Sequence, residues 1–297
     1  MTHNADSKAA ERYRDMTETP VPRLITRLSI PTIISMLVTA LYNAADTFFV
    51  GRISTEATAA VGLAFSAMAV IQALGFFCGQ GSGNYLSRML GAGKQEEAEQ
   101  MAATGLALSM ILGVVAASAA TLQIRQLAEF LGARGGTVDE TVRYLRIIVL
   151  GAPFMMGQFV INNQLRYQGS AMYAMVGLLC GAILNIALDP LLIFGFGMGV
   201  SGAALATVSG QIISFFVLLA GSMHGVNIHL NIRNVRLNGH FITQIINGGI
   251  PALFRQGLAA VATVLLNRAA GVYGHAAIAG MSVTTRVTKG TTKSFRK

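Results

Sequence analysis

Seven long apolar segments follow one another along the chain, and they restrict its fold more than any other feature. They lie at about 29–50, 59–86, 98–120, 144–161, 174–194, 203–222 and 241–266. An eighth begins near Ala276 and weakens by Arg286. A helix of about 20 apolar residues crosses the hydrocarbon core of a bilayer, where it satisfies its own backbone hydrogen bonds. Only 12% of the residues are charged, about half the share usual in soluble proteins. The sequence therefore predicts an all-α, polytopic bundle of membrane helices.

Several functional classes are disfavoured by composition and spacing. The net charge is +9, but the 22 Lys and Arg are spread between apolar segments and tails, whereas nucleic-acid binding needs a basic face. Attraction to anionic lipid explains this charge better. The Gly-rich stretches do not form the GxxxxGK[ST] phosphate loop of ATPases. Two cysteines and five histidines show no zinc spacing. We expect no nucleic acid, no ATP, no cofactor and no enzymatic activity.

The basic residues of the connectors predict the orientation. With the N-terminus inside, the inner connectors and tail carry ten Lys and Arg, and the outer connectors carry six. Because basic residues accumulate on the cytoplasmic side, we expect the N-terminus and the polar stretch 223–240 to face the cytoplasm from the inner cell membrane. The alternation of Ile228, Leu230 and Ile232 suggests that this stretch lies on the lipid headgroups.

A short repeat suggests two lobes. Ser29-Ile30-Pro31 recurs as Gly249-Ile250-Pro251 after 220 residues, as expected for repeats about an axis normal to the membrane, although chance similarity between apolar helices stays open. Because the second lobe is so short, we expect a truncated or frame-shifted product. The predicted parts are a cytoplasmic tail (1–28), an N-terminal six-helix lobe (29–222), a cytoplasmic inter-lobe linker (223–240), a partial C-terminal lobe with helix 7 and part of helix 8 (241–288), and a polar basic tail (289–297).

Two acids lie inside the apolar segments. Of the other eleven Asp and Glu, ten are in tails or connectors and Glu99 lies at the polar start of the third segment, whereas Asp46 and Asp189 lie well inside their segments. An ionised carboxylate in a bilayer is expensive and normally serves an ion or proton path; an aspartate held by helix–helix hydrogen bonds is the alternative. Asp46 precedes the end of its segment by four residues and Asp189 by five. At 1.5 Å per residue they lie at nearly the same depth.

Polar neighbours add oxygen atoms at that depth. Asn185 lies one turn from Asp189, and Thr207 falls about as deep on the next segment. Tyr42 and Asn43 lie one turn from Asp46. Such an oxygen-rich set suits a proton or a hard cation such as Na⁺. Pro190, which cannot donate a backbone hydrogen bond, predicts a kink directly after Asp189.

These motifs together resemble one transporter family. Ile30-Pro31, Tyr42-Asn43-Ala-Ala-Asp46 and Val50-Gly51 are similar to the first helix of the multidrug and toxic compound extrusion (MATE) transporters. Asn185-Ile-Ala-Leu-Asp189-Pro190 resembles their fifth helix. Gly202-Ala-Ala-Leu-Ala-Thr207 resembles the start of their sixth, and Gln164-Leu-Arg166-Tyr-Gln168-Gly169 resembles their 4–5 connector.

The resemblance implies two six-helix lobes around a central cavity, and export of amphipathic, often cationic compounds against entering H⁺ or Na⁺. In the prokaryotic branch, it implies a cation site formed by Asp46, Asn185, Asp189 and Thr207, at which Na⁺ would bind transiently. Tyr42, Asn43 and Pro190 would support the site. Met36, Arg255 and Arg286 are candidates for the cavity wall, although lipid-facing or snorkelling positions are alternatives for them.

Two other functions stay open. A flippase for lipid or polysaccharide precursors would need several Arg or Lys facing the cavity for phosphate, and the N-lobe segments contain only Arg146, near the start of the fourth segment. A truncated fragment that transports nothing by itself is the second alternative.

Overall fold

The computed structural model describes residues 18–224 and 227–273, together with Ala277, Gly280 and Met281. Residues 1–17 of the predicted N-terminal tail, the predicted C-terminal tail and most of the predicted eighth segment, including Arg286, lie outside the described residues, whereas 21–28 of the predicted N-terminal tail already belong to the first helix. The described helices are α1 (Val21–Gly51), α2 (Thr55–Gly91), α3 (Gln95–Leu122), α4 (Ile124–Leu131), α5 (Thr137–Leu150), α6 (Ala152–Tyr167), α7 (Ala171–Pro190), α8 (Gly199–Ser222) and α9 (Gly239–Gly271).

Six of the described helices are long and apolar enough to cross a membrane, and α5 with α6 forms a seventh span if the bent pair is counted as one. The predicted all-helical membrane bundle is confirmed. The fourth span differs from the expected single helix, because α5 and α6 meet at Gly151 with a bend of 53°. Pro153 near the start of α6 lacks the amide that would continue the hydrogen bonds of α5.

The long helix α2 forms the centre of the bundle. It packs against α3, α5, α6 and α9, and glycines allow two of these helices to approach closely. A Cβ on Gly75 would lie 3.1 Å from Phe159 Cβ of α6. A Cβ on Gly248 of α9 would lie 3.1 Å from the Gly81 carbonyl oxygen. Small residues at such crossings allow backbone contact between membrane helices.

The helix α9 is also held to α2 near its other end. Asn267 Nδ2 donates a hydrogen bond of 2.8 Å to Ser66 Oγ, and both side chains are buried. Arg268 lies beside this contact with its guanidinium 5.1 Å from the centre of the Phe130 ring of α4. The glycine crossing and this hydrogen bond together fix α9 along α2.

The stretch between α8 and α9 packs on protein, so the prediction that it lies on lipid headgroups is wrong. Ile228 is buried against Leu86 of α2 and Ala98 of α3, and its amide donates to Gln168 Oε1 at 2.8 Å. The Arg236 amide donates to Thr104 Oγ1 at 2.9 Å. The bundle thus provides a buried apolar site for the Ile228 side chain and hydrogen-bond acceptors for the amides of Ile228 and Arg236. We call this end of the bundle the linker end, and the opposite end, which carries α4, the α4 end.

A polar cluster joins α2, α3 and α9 at the linker end. The Tyr85 hydroxyl lies 3.1 Å from Glu97 Oε2 and 3.2 Å from His240 Nε2. Lys94, in the turn between α2 and α3, donates to Glu97 Oε1 at 2.9 Å, and this hydrogen bond raises the pKa of Lys94. The turn itself needs Gly93, whose φ of +74° lies in the left-handed region.

Arginines at the α4 end are matched by acids. Arg125 lies 3.7 Å from both Glu129 and Asp139, and Arg143 lies 3.4 Å from Glu140. All of these side chains except Glu140 are strongly exposed, so the pairs contribute little to stability.

Candidate cation-binding site

One narrow stripe of α1 faces the bundle, and Asp46 lies on it. The buried residues of this 31-residue helix are Pro31, Ser35, Asp46 and Val50. Their spacings of four, eleven and four residues keep them on one face of a helix. Most of the remaining surface of α1 is exposed or half-buried. The carboxylate therefore faces protein, although it belongs to a helix with an otherwise open apolar surface.

The second acid is fully buried near the end of α7. Asp189 and Asn185 are spaced i, i+4, so they lie on one face of the helix, and both are buried. Directly after Pro190 the chain changes to a π turn, Leu191–Gly195. The predicted disturbance at Pro190 thus takes the form of a wider turn, and π turns inside α-helices are frequent at functional sites.

The helix α8 crosses α7 beside this face. A Cβ on Gly181 would lie 2.5 Å from the Gly210 carbonyl oxygen, and a Cβ on Gly210 would lie 3.2 Å from Asn185 Cβ. Ser214 Oγ donates to the Gly177 carbonyl at 2.8 Å one turn further along. The two glycines bring the backbones together, so Asn185 lies against α8 about one turn from buried Thr207.

Contacts at the α4 end bring α1 to the same place. The rings of Phe49 and Phe194 meet edge to face with centroids 6.5 Å apart. Phe49 is three residues beyond Asp46, and Phe194 is five beyond Asp189. The helix α1 also packs on α7 and α8. The structure therefore places the four predicted site residues, Asp46, Asn185, Asp189 and Thr207, on three helices that contact one another.

Asn185 has the environment of a ligand-binding amide. Both polar atoms of its side chain are buried, and neither has a hydrogen-bond partner among the described residues. A buried amide without partners costs free energy comparable to its lost hydration. An ion or a water between α7 and α8 would relieve that cost, because the carbonyl oxygen could bind it.

The four candidate residues offer oxygen ligands, and their two carboxyl groups can carry one or two negative charges. Within residues 18–224 and 227–273, no three His, Cys, Asp or Glu side chains come together as a metal-binding group. Two carboxylates, an amide oxygen and a hydroxyl suit a proton or a hard monovalent cation better than a transition metal.

The other predicted residues lie around this centre or away from it. Tyr42 and Asn43 are half-buried, and Asn43 Nδ2 donates to the Thr39 carbonyl of its own helix at 2.8 Å. Met36 lies on the exposed surface of α1, and Arg255 lies on the exposed surface of α9.

Two buried glutamines were missed by the sequence analysis. Gln158 of α6 and Gln211 of α8 each have a buried Oε1 without a hydrogen-bond donor in the described part of the chain. Both lie within apolar segments. Uncharged side chains were considered only within one turn or at the depth of the two acids, and a search for amides throughout the apolar segments would have found both glutamines.

Comparisons with known proteins agree with this architecture. The MatE family model matches residues 31–191. The multidrug export protein MepA of Staphylococcus aureus is 31% identical over 272 residues, which cover 91% of this chain and 60% of MepA. The chain therefore spans about 60% of the length of such relatives.

Solved structures give the same answer. An inward-facing multidrug resistance MATE family transporter of the MOP superfamily superimposes with a TM-score of 0.80 and 31% identity, covering 90% of this chain and 61% of that one. An outward-facing structure of such a transporter gives a TM-score of 0.76 and 32% identity, with 90% and 64% covered. The resemblance seen in the sequence motifs is confirmed: the chain belongs to the MATE family, a family of membrane transporters and not of enzymes.

Proposed function

We propose that this chain is part of a cation-coupled antiporter, which exports amphipathic, often cationic compounds while H⁺ or Na⁺ enters. The observation that carries the proposal is the burial of Asp46 and Asp189 in helices of membrane-spanning length, together with a buried Asn185 amide that has no hydrogen-bond partner among the described residues. Buried acids in membrane helices mark ion and proton paths. The name of the S. aureus relative supports multidrug export.

In this proposal, cation binding controls how α1 packs on α7 and α8. Two carboxylates in a dry chamber repel each other when both are ionised, and binding of H⁺ or Na⁺ removes that repulsion. The chamber can therefore close around a bound cation and open when it is empty. A ligand shifts such an equilibrium only as far as its affinities for the two states differ.

The two candidate ions would use the site differently. A proton needs only a carboxylate, whereas Na⁺ needs several oxygen ligands, which Asn185 and Thr207 can add. Met36 and Arg255 lie on the exposed surfaces of α1 and α9, and substrate would pass along such apolar surfaces. Flexible thioether side chains suit a wall that binds varied compounds.

Efflux of a cationic dye from cells expressing the chain, under imposed H⁺ or Na⁺ gradients, tests the proposed function. Gradient-dependent efflux above that of cells without the protein is the expected result. Efflux that follows ATP levels and ignores both gradients would contradict it. The ion whose gradient drives efflux identifies the coupling ion.

Cysteine labelling tests the proposed orientation, with the linker end in the cytoplasm. Arg233 is exposed at the linker end, and Gly136 at the α4 end has open space where a Cβ would be added. Asn227 is buried and would be a poor probe. With Cys78 and Cys180 replaced by Ala, an impermeant maleimide outside intact cells should label Gly136→Cys and not Arg233→Cys. The opposite pattern would show that the N-terminus faces outward.

A further inference from the structure

Three glutamines inside the bundle have a buried Oε1 that no described group satisfies, and Gln164, whose Nε2 donates to Ser82 and to the Ala102 carbonyl, is one of them. The other two lie where α6 and α8 meet. Gln158 Oε1 on α6 and Gln211 Oε1 on α8 are buried, and the described residues supply no donor for either oxygen. More than about 90% of buried polar groups in proteins have a partner in protein or ordered water. With the Asn185 amide, they make three side chains in this part of the bundle whose buried polar atoms have no partner among the described residues.

The register of α6 and α8 places the two glutamines close together. Both helices run toward the linker end. A Cβ on Gly151 would lie 2.8 Å from Val208 Cγ1, and a Cβ on Gly157 would lie 2.7 Å from Phe215 Cε2. Gln211 lies between these two contacts, and Gln158 is about one helical turn, or roughly 6 Å, nearer the linker end.

The faces of the helices agree with this placement. On α8, Gln211 lies between the positions that contact α6 and the positions Gly210 and Ser214 that contact α7. On α6, Gln158 precedes Asn162 by one turn, and Asn162 Nδ2 donates to the Ala174 carbonyl of α7 at 2.9 Å. Both glutamines therefore lie at the junction of α6, α7 and α8.

The same junction leads from the acid site to the linker end. Asp189 and Asn185 are one turn apart on α7, and Gly210 beside Asn185 directly precedes Gln211. Gln158 lies one turn nearer the linker end than Gln211, and Asn162 lies one turn nearer that end than Gln158. Steps of about 6 Å along the axis are longer than a direct hydrogen bond and are bridged by one water.

We propose that Asn185, Gln211 and Gln158 hold a column of internal waters inside the N-terminal lobe, through which the proton of Asp189 exchanges with the solvent at the linker end. This inference rests on the proposed function, because it assigns a route to the coupling proton. The Asp189 O–H bond breaks, the proton joins the adjacent water, and each water passes one proton onward. The route lies between α6, α7 and α8 and is separate from the exposed surface of α1 and α9.

Arg166 sets the end of the column. It follows Asn162 by one turn on the same face of α6, and its Nε is buried without an acceptor in the described structure. A fixed positive charge beside a narrow path opposes the passage of cations and protons. Na⁺ must pass as a whole ion, so the column favours protons, and Arg166 limits their rate of passage.

Infrared spectroscopy of the purified chain in lipid nanodiscs tests the column. The C=O stretch of protonated Asp189 is identified by its loss in Asp189→Asn, and its shift after transfer to D₂O reports proton exchange. Gln211→Leu and Gln158→Leu keep the volume and remove the polar atoms. Each should slow exchange roughly tenfold, the change that corresponds to one lost hydrogen bond. Gln72→Leu on α2 is the matched control and should exchange at the wild-type rate.

Unchanged exchange in both glutamine variants would overturn the proposal. Arg166→Gln should accelerate exchange, and an unchanged or lower rate would remove Arg166 from the column. If a variant is not recovered as monodisperse protein, a high-resolution map of the wild-type chain decides instead: ordered waters beside the three amides support the column, and a dry junction refutes it. Dye efflux is a separate readout, so gradient-driven efflux with a dry junction would refute the column alone. Ordered waters without gradient-driven efflux would refute the antiporter alone.

Discussion

Replacing Asp189 by Asn should abolish gradient-driven dye efflux by a two-lobed transporter built on this lobe, and Asp46→Asn should do the same. Each change leaves an amide that can neither bind a proton nor carry the charge that attracts Na⁺. Because a neutral amide is less costly in a membrane than a carboxylate, membrane insertion should be preserved. Efflux under imposed H⁺ and Na⁺ gradients is the measurement, with the amount of protein in the membrane determined on the same cells.

Two milder variants separate charge from ligation. Asn185→Ala and Thr207→Ala remove neutral oxygens near Asp189 and leave both carboxylates. Both should reduce Na⁺ binding, because Na⁺ needs several oxygen ligands. Thr207→Ala should leave proton coupling largely intact, whereas Asn185→Ala should also slow proton exchange if Asn185 holds part of the water column. Undiminished efflux in Asp46→Asn would instead indicate that Asp46 serves only the packing of α1 against α7 and α8.

Gly181→Leu should destabilise the bundle strongly. A side chain there meets the Gly210 carbonyl oxygen and Ser214 Cβ, at 2.5 and 2.8 Å from the added Cβ. Since neither backbone can move without separating α7 from α8, we expect a loss of about 3 kcal/mol in the free energy of unfolding. For a chain of this size, that loss corresponds to a fall in Tm of roughly 6 °C or more. Thermal unfolding followed by size-exclusion chromatography in detergent measures it.

Gly257→Leu is the matched control for this prediction. Gly257 lies inside α9, and no atom is within 4 Å of the position of an added Cβ. Leu is also a better helix former than Gly by up to about 1 kcal/mol, so Tm should stay the same or rise slightly. An equal fall in Tm in both variants would show that a side chain is tolerated no worse at the α7–α8 crossing than at Gly257, and would contradict the prediction.

Because Asn185 lies one turn from Gly181, a wider α7–α8 crossing should also weaken cation binding.

Hydropathy was sufficient to identify the spans and the two acids within them. A run of apolar residues has few stable alternatives to a membrane helix, and an acid inside such a run is conspicuous. The bend between α5 and α6 was missed because Tyr144–Ile161 remains apolar across Gly151. The pattern of apolar residues carries no information about the direction of a helix axis, so it could not indicate this bend.

The linker shows a different limit. Alternating Ile228 and Leu230 indicated an apolar face but not its partner. The structure buries Ile228 against Leu86 and Ala98, and lipid headgroups would have satisfied the same alternation. An apolar side chain gains from leaving water whichever apolar surface receives it, so its sequence pattern cannot distinguish protein from lipid.

The sequence by itself determined the membrane helices and their family, and it supplied the candidate cation-binding residues as a prediction, because each depends on residue type and on spacing within one segment. The tertiary structure decided which of those residues meet. Asp46 faces the bundle because four residues of α1 form one buried stripe, and Asn185 faces α8 because Gly181 and Gly210 let the two backbones touch. It also decided that Gln158 and Gln211 share a junction. Contacts between distant segments depend on how the helices cross. The missing side chains of Gly181 and Gly210 allow α7 and α8 to cross closely, and this effect arises only when the two helices pack together.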